Sequence, residues 1–511
     1  MIMNYFRPTW TCGRYEKDSH SAILYNLLEG LSCFFEGDSA DVIGEILTVK
    51  RGNQISIENV SRNTNIDIES LTEFFQQLEE CRLLSFSPIT SELISYHRHA
   101  IRNKLIQEKP EQSNFKNNSN AENAYAERAN SHIIFALLEL TYRCSETCIH
   151  CYNPGASRNN EEKNYRNQFE ELDLDDYKRI IDELYDEGLV KVCLSGGDPF
   201  SKSIVWEIID YLYQKEIAFE IYTNGQNLLG KEEKLVNYFP CDVGMSIYSS
   251  DYQVHDEITG VDGSFLRSIK VLDKLLEYSI PICIKCCVMR TNLKTYTGVS
   301  RIAKRYNATL QLECAIFDSF DGDICVSKYL RLLPNELELV LRDKSNPLYV
   351  GSEIPDFGEI HKDMNDIACR AGIQNFCITP TGNLIPCCSY HAVLGNLKEK
   401  HLSDILDNDE IKKLITLKLE KYEECGKHVY CDFCKLCPGL NFAEHGTPIK
   451  AAENNCYVAK VRYNLALRLK DNNDPLNGNS LENALTLLPD VPSIKAHRIL
   501  TKNYFDNLLD L

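Results

Sequence analysis

Three cysteines crowd the stretch RCSETCIHCYNPG, residues 143–155: Cys144, Cys148 after three intervening residues, and Cys151 after two more. Thiolates so spaced bind metal. Four of them close a zinc or iron–sulfur site, whereas three leave one metal position open. Three thiolates on a cubane [4Fe–4S] cluster leave the fourth iron free for an amino and carboxylate chelate. Zinc is the alternative, but structural zinc sites usually pair two CxxC knuckles, and residues 132–320 supply no fourth ligand at an obvious spacing.

Short polar motifs follow at the ends of apolar runs. LSGGDP (Leu194–Pro199) carries Gly196 and Gly197, which let backbone approach a ligand closely, and Asp198 as an acceptor. YTNG (Tyr222–Gly225) offers Thr223 and Asn224 to a ribose or carboxylate, and MSIYS (Met245–Ser249) offers Ser246. Each alone is ordinary turn chemistry. Their order, one after each successive apolar run, makes them jointly specific.

These residues need a scaffold, and the sequence predicts one. From Ile133 onward, strand patterns (IIFALLELTY, LVKVCLSGG, AFEIYTNG, VGMSIYS, PICIKCCVM, TLQLECAIF) alternate with helix patterns such as DLDDYKRIIDELYDEG. In that helix Leu174, Tyr177, Ile180, Ile181 and Leu184 share a face, with Gly188 at its end. Six βα units predict an α/β fold with a parallel sheet. The cysteine loop follows the first strand, on the face where such folds place their sites.

Spacing, the aromatic Tyr152 and the strand-end motifs together resemble the radical S-adenosylmethionine (SAM) enzymes. GGDP resembles that family's GGEP with a shorter acid at Asp198. The resemblance implies a partial (β/α)6 TIM-like barrel. It also implies a [4Fe–4S] cluster on Cys144, Cys148 and Cys151, with SAM bound by Tyr152, Gly196, Gly197, Asp198, Thr223, Asn224 and Ser246. The implied chemistry is reductive cleavage of SAM to methionine and a 5′-deoxyadenosyl radical that abstracts a substrate hydrogen. HDEITGVDGSF (His255–Phe265) resembles a loop of the peptide-modifying branch, with His255 read as ordering that loop.

The chain holds 22 cysteines, nine of them between Cys369 and Cys456. ACRAGIQNFCITPTGNLIPCC and ECGKHVYCDFCKLCPG resemble the SPASM domain, a cysteine-rich extension carrying auxiliary iron–sulfur clusters. By that analogy one auxiliary [4Fe–4S] cluster takes Cys369, Cys377, Cys387 and Cys437, and a second takes Cys425, Cys431, Cys434 and Cys456. The pattern departs from the family's at His428, which stands where a cysteine is expected; Cys431 is preferred as ligand, with imidazole the alternative. Cys377 is the weakest member because it could face a core. Zinc ribbons are the competing reading of these cysteine pairs. Cys388 adjoins Cys387, where anaerobic sulfatase-maturating enzymes carry an aspartate. It is a weak catalytic candidate, and no other catalytic residue is assigned. Cys193, Cys283 and Cys314 lie in apolar runs and read as small core residues.

Strands followed by three helices fill residues 1–95 and suggest a winged-helix-like α+β module. In its last helix Ile68, Leu71, Phe74, Phe75, Leu78 and Leu83 fall roughly on one face. It resembles the peptide-recognition element of ribosomal-peptide maturases, related to the small chaperone of pyrroloquinoline quinone synthesis. Such modules take a leader peptide as an added strand. The remaining divisions are a linker at 96–131, a core at 132–320, a connecting segment at 321–365, the cysteine-rich domain at 366–460 and a helical extension at 461–511.

A formal charge of −19 argues against a nucleic-acid partner. No apolar run reaches membrane-span length, and MIMNYFRPTW lacks the pattern of a signal peptide, so a cytoplasmic location and no membrane partner are expected. The implied function is maturation of a ribosomally made precursor peptide by a carbon–carbon or thioether cross-link. The alternatives are epimerisation, oxidation of a folded protein or small molecule, and a non-enzymatic metal protein. The implied partners are a precursor peptide and an electron donor such as flavodoxin or ferredoxin.

Overall fold

A computed structural model describes residues 4–107, 119–129, 133–153, 170–317, 327–351 and 364–491. The predicted six-strand core is present. Strands β1 (Tyr5–Phe6), β2 (Thr11–Glu16), β3 (Ser21–Asn26), β4 (Leu31–Glu36) and β5 (Gln54–Ile55) belong to the N-terminal module. The core strands follow as β6 (Phe135–Glu139), β7 (Lys191–Ser195), β8 (Ala218–Thr223), β9 (Val243–Ser246), β10 (Ile282–Cys287) and β11 (Thr309–Glu313). All six run parallel and in sequence order, the arrangement that helical crossovers impose. Beyond β6 the same sheet continues into β12 (Asn375–Ile378), parallel to it, and then into antiparallel β13 (Asn383–Ile385) and β14 (Gly395–Asn396). The two cysteine-bearing regions therefore share one sheet.

Strand alternation sorts the side chains. Val192 and Leu194 of β7, Phe219 and Ile221 of β8, and Ile282 and Ile284 of β10 join the helices in one large apolar core. The opposite parity carries Glu139, Cys193, Glu220, Tyr222, Lys285 and Cys377 together with apolar Phe135, Leu137 and Ala218. They occupy the face away from the helices. Cys193 and Cys283 are buried as expected, and belong to this second face.

The N-terminal module is an antiparallel β2–β3–β4 sheet covered by α1 (Asp38–Thr48), α2 (Ile57–Thr64) and α3 (Ile68–Glu80). The sequence reading lacked β2, whose TCGRYE has no run of apolar residues. Leu71, Phe75 and Leu78 turn inward from α3, while Ile68 at its first position is exposed. Asp67 caps that helix by accepting from the Ser70 N–H at 2.9 Å.

The segment expected to be a linker is partly helical. Helices α4 (Ser91–Gln107) and α5 (Ser119–Ala129) occupy it, with residues 108–118 and 130–132 outside the described range. Tyr125 of α5 is fully buried. Glu122 accepts from Tyr25 Oη at 2.9 Å and pairs with Lys191 of β7 at 3.0 Å, tying the N-terminal sheet to the core. The module also docks through Arg7, 1% exposed, which donates to the Leu47 and Val49 carbonyls at 2.9 and 2.7 Å and pairs with Glu216. Beside it Arg51 stacks 3.9 Å from the Tyr213 ring centroid. No helix among the described residues is long and apolar enough to cross a membrane.

Truncating the buried Arg7 leaves the Leu47 and Val49 carbonyls without their donor, while Glu216, 27% exposed, keeps Arg51 at 3.8 Å. Arg7→Ala is expected to lower stability by about 1–3 kcal/mol, read as a fall in the thermal midpoint. An unchanged midpoint would show that the module is not held this way.

Candidate functional site

The cysteine loop leaves the end of β6 and is seated by its neighbours. The Gly197 N–H donates to the Thr141 carbonyl at 2.6 Å, and the Asp198 N–H to the Arg143 carbonyl at 3.0 Å. A Cβ on Gly197 would lie 2.4 Å from Arg143 O and 2.7 Å from Tyr142 O. Only glycine fits there. The close backbone approach inferred for this motif is thus made to the chain's own residues 141–143, immediately before Cys144. On its other side, the Thr147 and Ile149 N–H groups donate to the Thr259 and Ile258 carbonyls at 2.9 and 3.0 Å.

That second support comes from the helix Tyr252–Thr259 of the HDEITG motif. His255 is buried, and its Nδ1 accepts from the Tyr248 N–H at 3.2 Å. Burial lowers its pKa to about 4, so it is neutral and orders the loop. Asp256 accepts from the Gly263 N–H, the Ser264 hydroxyl and the Phe265 N–H at 2.6–2.9 Å, fixing the start of the next helix.

Cys144, Cys148 and Cys151 are half-buried and lie within electrostatic reach of one another. Burial pushes the Cys144 and Cys148 thiols well up, so ionisation calls for a nearby positive charge such as a bound metal. Among the described residues no three Cys, His, Asp or Glu side chains close on one point as a single ion requires. A cubane instead takes one thiolate per iron. The donor set fits such a cluster: three mutually close thiols, with Asn224 Nδ2 donating to Cys144 Sγ at 3.2 Å.

Asp198 is 0% exposed and spent on internal bonds. Its carboxylate accepts from Thr223 Oγ1 at 2.5 Å, the Asn224 N–H at 3.1 Å and the Phe200 N–H at 3.0 Å. It staples the end of β7 to the end of β8. Thr223 and Asn224 are thereby brought beside the cysteine loop, and Ser246 ends β9 half-buried on the same rim.

Between the two cysteine regions stands a residue the sequence reading missed. Glu139 closes β6, is 0% exposed, and has an Oε2 with no hydrogen-bond partner among the described residues. Tyr152 Oη donates to its Oε1 at 3.5 Å. Burial raises its pKa to about 7. Cys388 lies against both Tyr152 and Glu139, its thiol pushed up to about 11 chiefly by burial. A lone acid ending the apolar run IIFALLELTY was the available signal.

In the C-terminal region Cys369, Cys387 and Cys437 influence one another electrostatically. Cys437 caps the helix Pro438–His445, its Sγ accepting from the Leu440 N–H at 3.4 Å. Cys377 is fully buried on β12, among Glu139, Cys388, Cys387 and Cys193, toward the polar face of the sheet. Cys425, Cys431, Cys434 and Cys456 line a cavity of about 260 Å³ with Leu419 and Ala459. His428 is absent from that lining. It is exposed, stacks on Tyr430 with centroids 4.9 Å apart, and approaches Glu424 at 3.2 Å.

Known proteins match this architecture. Residues 138–297 match the radical SAM superfamily, and residues 369–438 match the SPASM iron–sulfur cluster-binding domain. The chain is a radical SAM/SPASM enzyme. It is 27% identical over 324 residues to the AdoMet-dependent heme synthase of Methanosarcina barkeri, covering 59% of this chain and 89% of that protein. It is 22% identical over 333 residues to the antilisterial bacteriocin subtilosin biosynthesis protein AlbA of Bacillus subtilis, covering 64% and 71%. In fold it is similar to Streptococcus suis SuiB bound to precursor peptide SuiA, with TM-score 0.53 and 16% identity over 88% of this chain and 99% of that one.

Replacing Cys431 with Ala is expected to lower the iron retained after anaerobic reconstitution, whereas His428→Ala leaves it unchanged. The reverse pattern in an iron assay would make the imidazole the ligand.

Proposed function

We propose that this enzyme modifies a ribosomally made precursor peptide, joining two of its positions by a carbon–carbon or thioether bond. The observation that carries this reading is the N-terminal β2–β3–β4 and α1–α3 module docked onto the same chain as the cysteine loop. A sheet edge can take an extended peptide as a further strand through main-chain hydrogen bonds. Similarity to AlbA, a bacteriocin biosynthesis protein, supports a peptide substrate.

In this reading Cys144, Cys148 and Cys151 hold the SAM-binding [4Fe–4S] cluster. SAM, once bound there, supplies the 5′-deoxyadenosyl radical that removes a substrate hydrogen. The protein's own work is positioning and exclusion of water. Tyr152, Thr223, Asn224 and Ser246 would bind SAM, and Gly196, Gly197 and Asp198 would do so while also holding the loop. Cys425, Cys431, Cys434 and Cys456 hold one auxiliary [4Fe–4S] cluster. Cys369, Cys387 and Cys437, with Cys377 as the fourth thiol, hold the other. A cross-link removes two electrons from the peptide: one leaves with the hydrogen atom taken by the 5′-deoxyadenosyl radical, and the auxiliary clusters would give the other a route out, while a flavodoxin- or ferredoxin-like donor would supply the electron that SAM cleavage consumes. Domain limits follow as 1–95, 96–131, 132–320, 321–365, 366–460 and 461–511, with α4 and α5 as a structured connection.

Similarity to a heme synthase favours a second reading, radical oxidation of a small molecule. The deciding experiment incubates the anaerobically reconstituted enzyme with SAM, reductant and a short peptide encoded beside its gene. Mass spectrometry in light and heavy water then reads the result. Loss of two hydrogens is expected. One deuterium gained at unchanged light-water mass would mean epimerisation, with Cys388 the first hydrogen donor to examine. An unaltered peptide would favour the small-molecule reading.

A further inference from the structure

Tyr390 stands three residues after Cys387 and is 3% exposed. Its Oη is buried and has no hydrogen-bond partner among the described residues. The ring itself is held in place. The Tyr390 N–H donates to the Cys387 carbonyl at 2.9 Å, and the ring centroid lies 5.5 Å from that of Phe442. A Cβ on Gly439, two residues after Cys437, would meet the Ser389 carbonyl oxygen at 2.5 Å and the Tyr390 nitrogen at 3.0 Å. The turn carrying Cys387 and Tyr390 is therefore pressed onto the start of the helix that Cys437 caps.

A phenylalanine ring would fill this place equally well, and a buried tyrosine hydroxyl ordinarily finds a partner. Tyr390 lines a small cavity of about 10 Å³ with Leu414, Leu417 and Pro438, whose side chains are apolar. Tyr422 lines it as well, yet no hydrogen bond joins it to the Tyr390 hydroxyl. Cys369 completes the surroundings, and the charges of ionised Cys387 and Cys369 both reach that hydroxyl. Two sulfurs of this set already accept backbone donors. The Ala371 N–H reaches Cys369 Sγ and the Leu440 N–H reaches Cys437 Sγ, each at 3.4 Å. A neutral thiol is a weak acceptor, whereas a thiolate on iron is charged and accepts strongly.

We propose that the Tyr390 hydroxyl donates a hydrogen bond to a sulfur of the auxiliary cluster at Cys369, Cys387 and Cys437, and thereby raises the reduction potential of that cluster. This rests on the reading of those cysteines as iron–sulfur ligands. Hydrogen bonds to cluster sulfurs are among the levers that set such potentials. The reduced cluster carries one more negative charge, so the bond stabilises it more than the oxidised form. Tyr390 ligates no iron and touches no substrate. A raised potential suits a cluster that takes an electron from a peptide radical rather than one that delivers an electron to SAM.

The test is a potentiometric titration of the full-length, anaerobically reconstituted enzyme, followed by electron paramagnetic resonance. Cys387→Ala identifies the transition that belongs to this cluster by removing or altering it. Tyr390→Phe is expected to lower that reduction midpoint by roughly tenfold in the one-electron reduction constant, about 59 mV. Iron content and the other transitions should match the wild type. Electron–nuclear double resonance of the reduced cluster, in light and heavy water, should show one exchangeable coupled proton fewer in Tyr390→Phe. An unchanged midpoint, or a full set of coupled protons after the substitution, would overturn the proposal. Iron loss, or a shift shared by every transition, would also overturn it by making Tyr390 a packing residue. If Cys387→Ala changes neither iron content nor any transition, the cluster assignment falls, and this proposal with it.

Discussion

The site depends on one contact, the backbone of Gly197 and Asp198 against residues 141–143. A loop carrying three metal-binding thiols is costly to order, because each fixed residue gives up about 1–2 kcal/mol of conformational freedom. Hydrogen bonds within the chain offset part of that cost. The turn after β7 presses on the chain leaving β6 so closely that no side chain fits at Gly197. Asp198 carries the same constraint to β8 through Thr223 and Asn224. Three strand ends are thereby locked together where Cys144 begins. The helix after β9 catches the other half of the loop at Thr147 and Ile149. Gly197, Asp198, Thr223 and Asn224, expected to bind a cofactor, also hold the cysteine loop and the strand ends beside it.

Sheet continuity does the rest. Because β12 pairs with β6, the second cysteine region grows from the same sheet edge as the first. Glu139, Tyr152 and Cys388 lie at that junction, so the face between the two regions is lined by groups that can carry a proton or hydrogen bond. At the far side of the sheet, Arg7 and Glu122 clamp the N-terminal module to the core. A peptide held by the module would meet a reactor at a set distance rather than at the end of a loose tether.

Much of this was legible in the sequence, where local pattern and physics agreed. The six core strands announce themselves by apolar runs ending in polar turns, and α3 by its apolar spacing. The strand-end motifs were located correctly, but not what Asp198 bonds, since its partners lie on the neighbouring strand. Helix α5 was read as linker because the polar, Asn-rich stretch just before it masks its own four alanines. Its order comes from Tyr25 and Lys191, far away in the chain. The inward direction of Cys377 follows from its alternation with Phe376 and Ile378, both core residues. Glu139 stands out locally as the acid ending an apolar run, but nothing local shows that its Oε2 will be buried without a hydrogen-bond partner among the described residues.

The most direct measurement is release of 5′-deoxyadenosine from SAM by the anaerobically reconstituted enzyme under strong reductant. The wild type is compared with a variant in which Cys144, Cys148 and Cys151 are all Ala. The account predicts release by the wild type and none by the variant, which still holds iron at its C-terminal cysteines. Release by the triple variant, or none by a wild type that has taken up iron at all its cysteine sites, would contradict it.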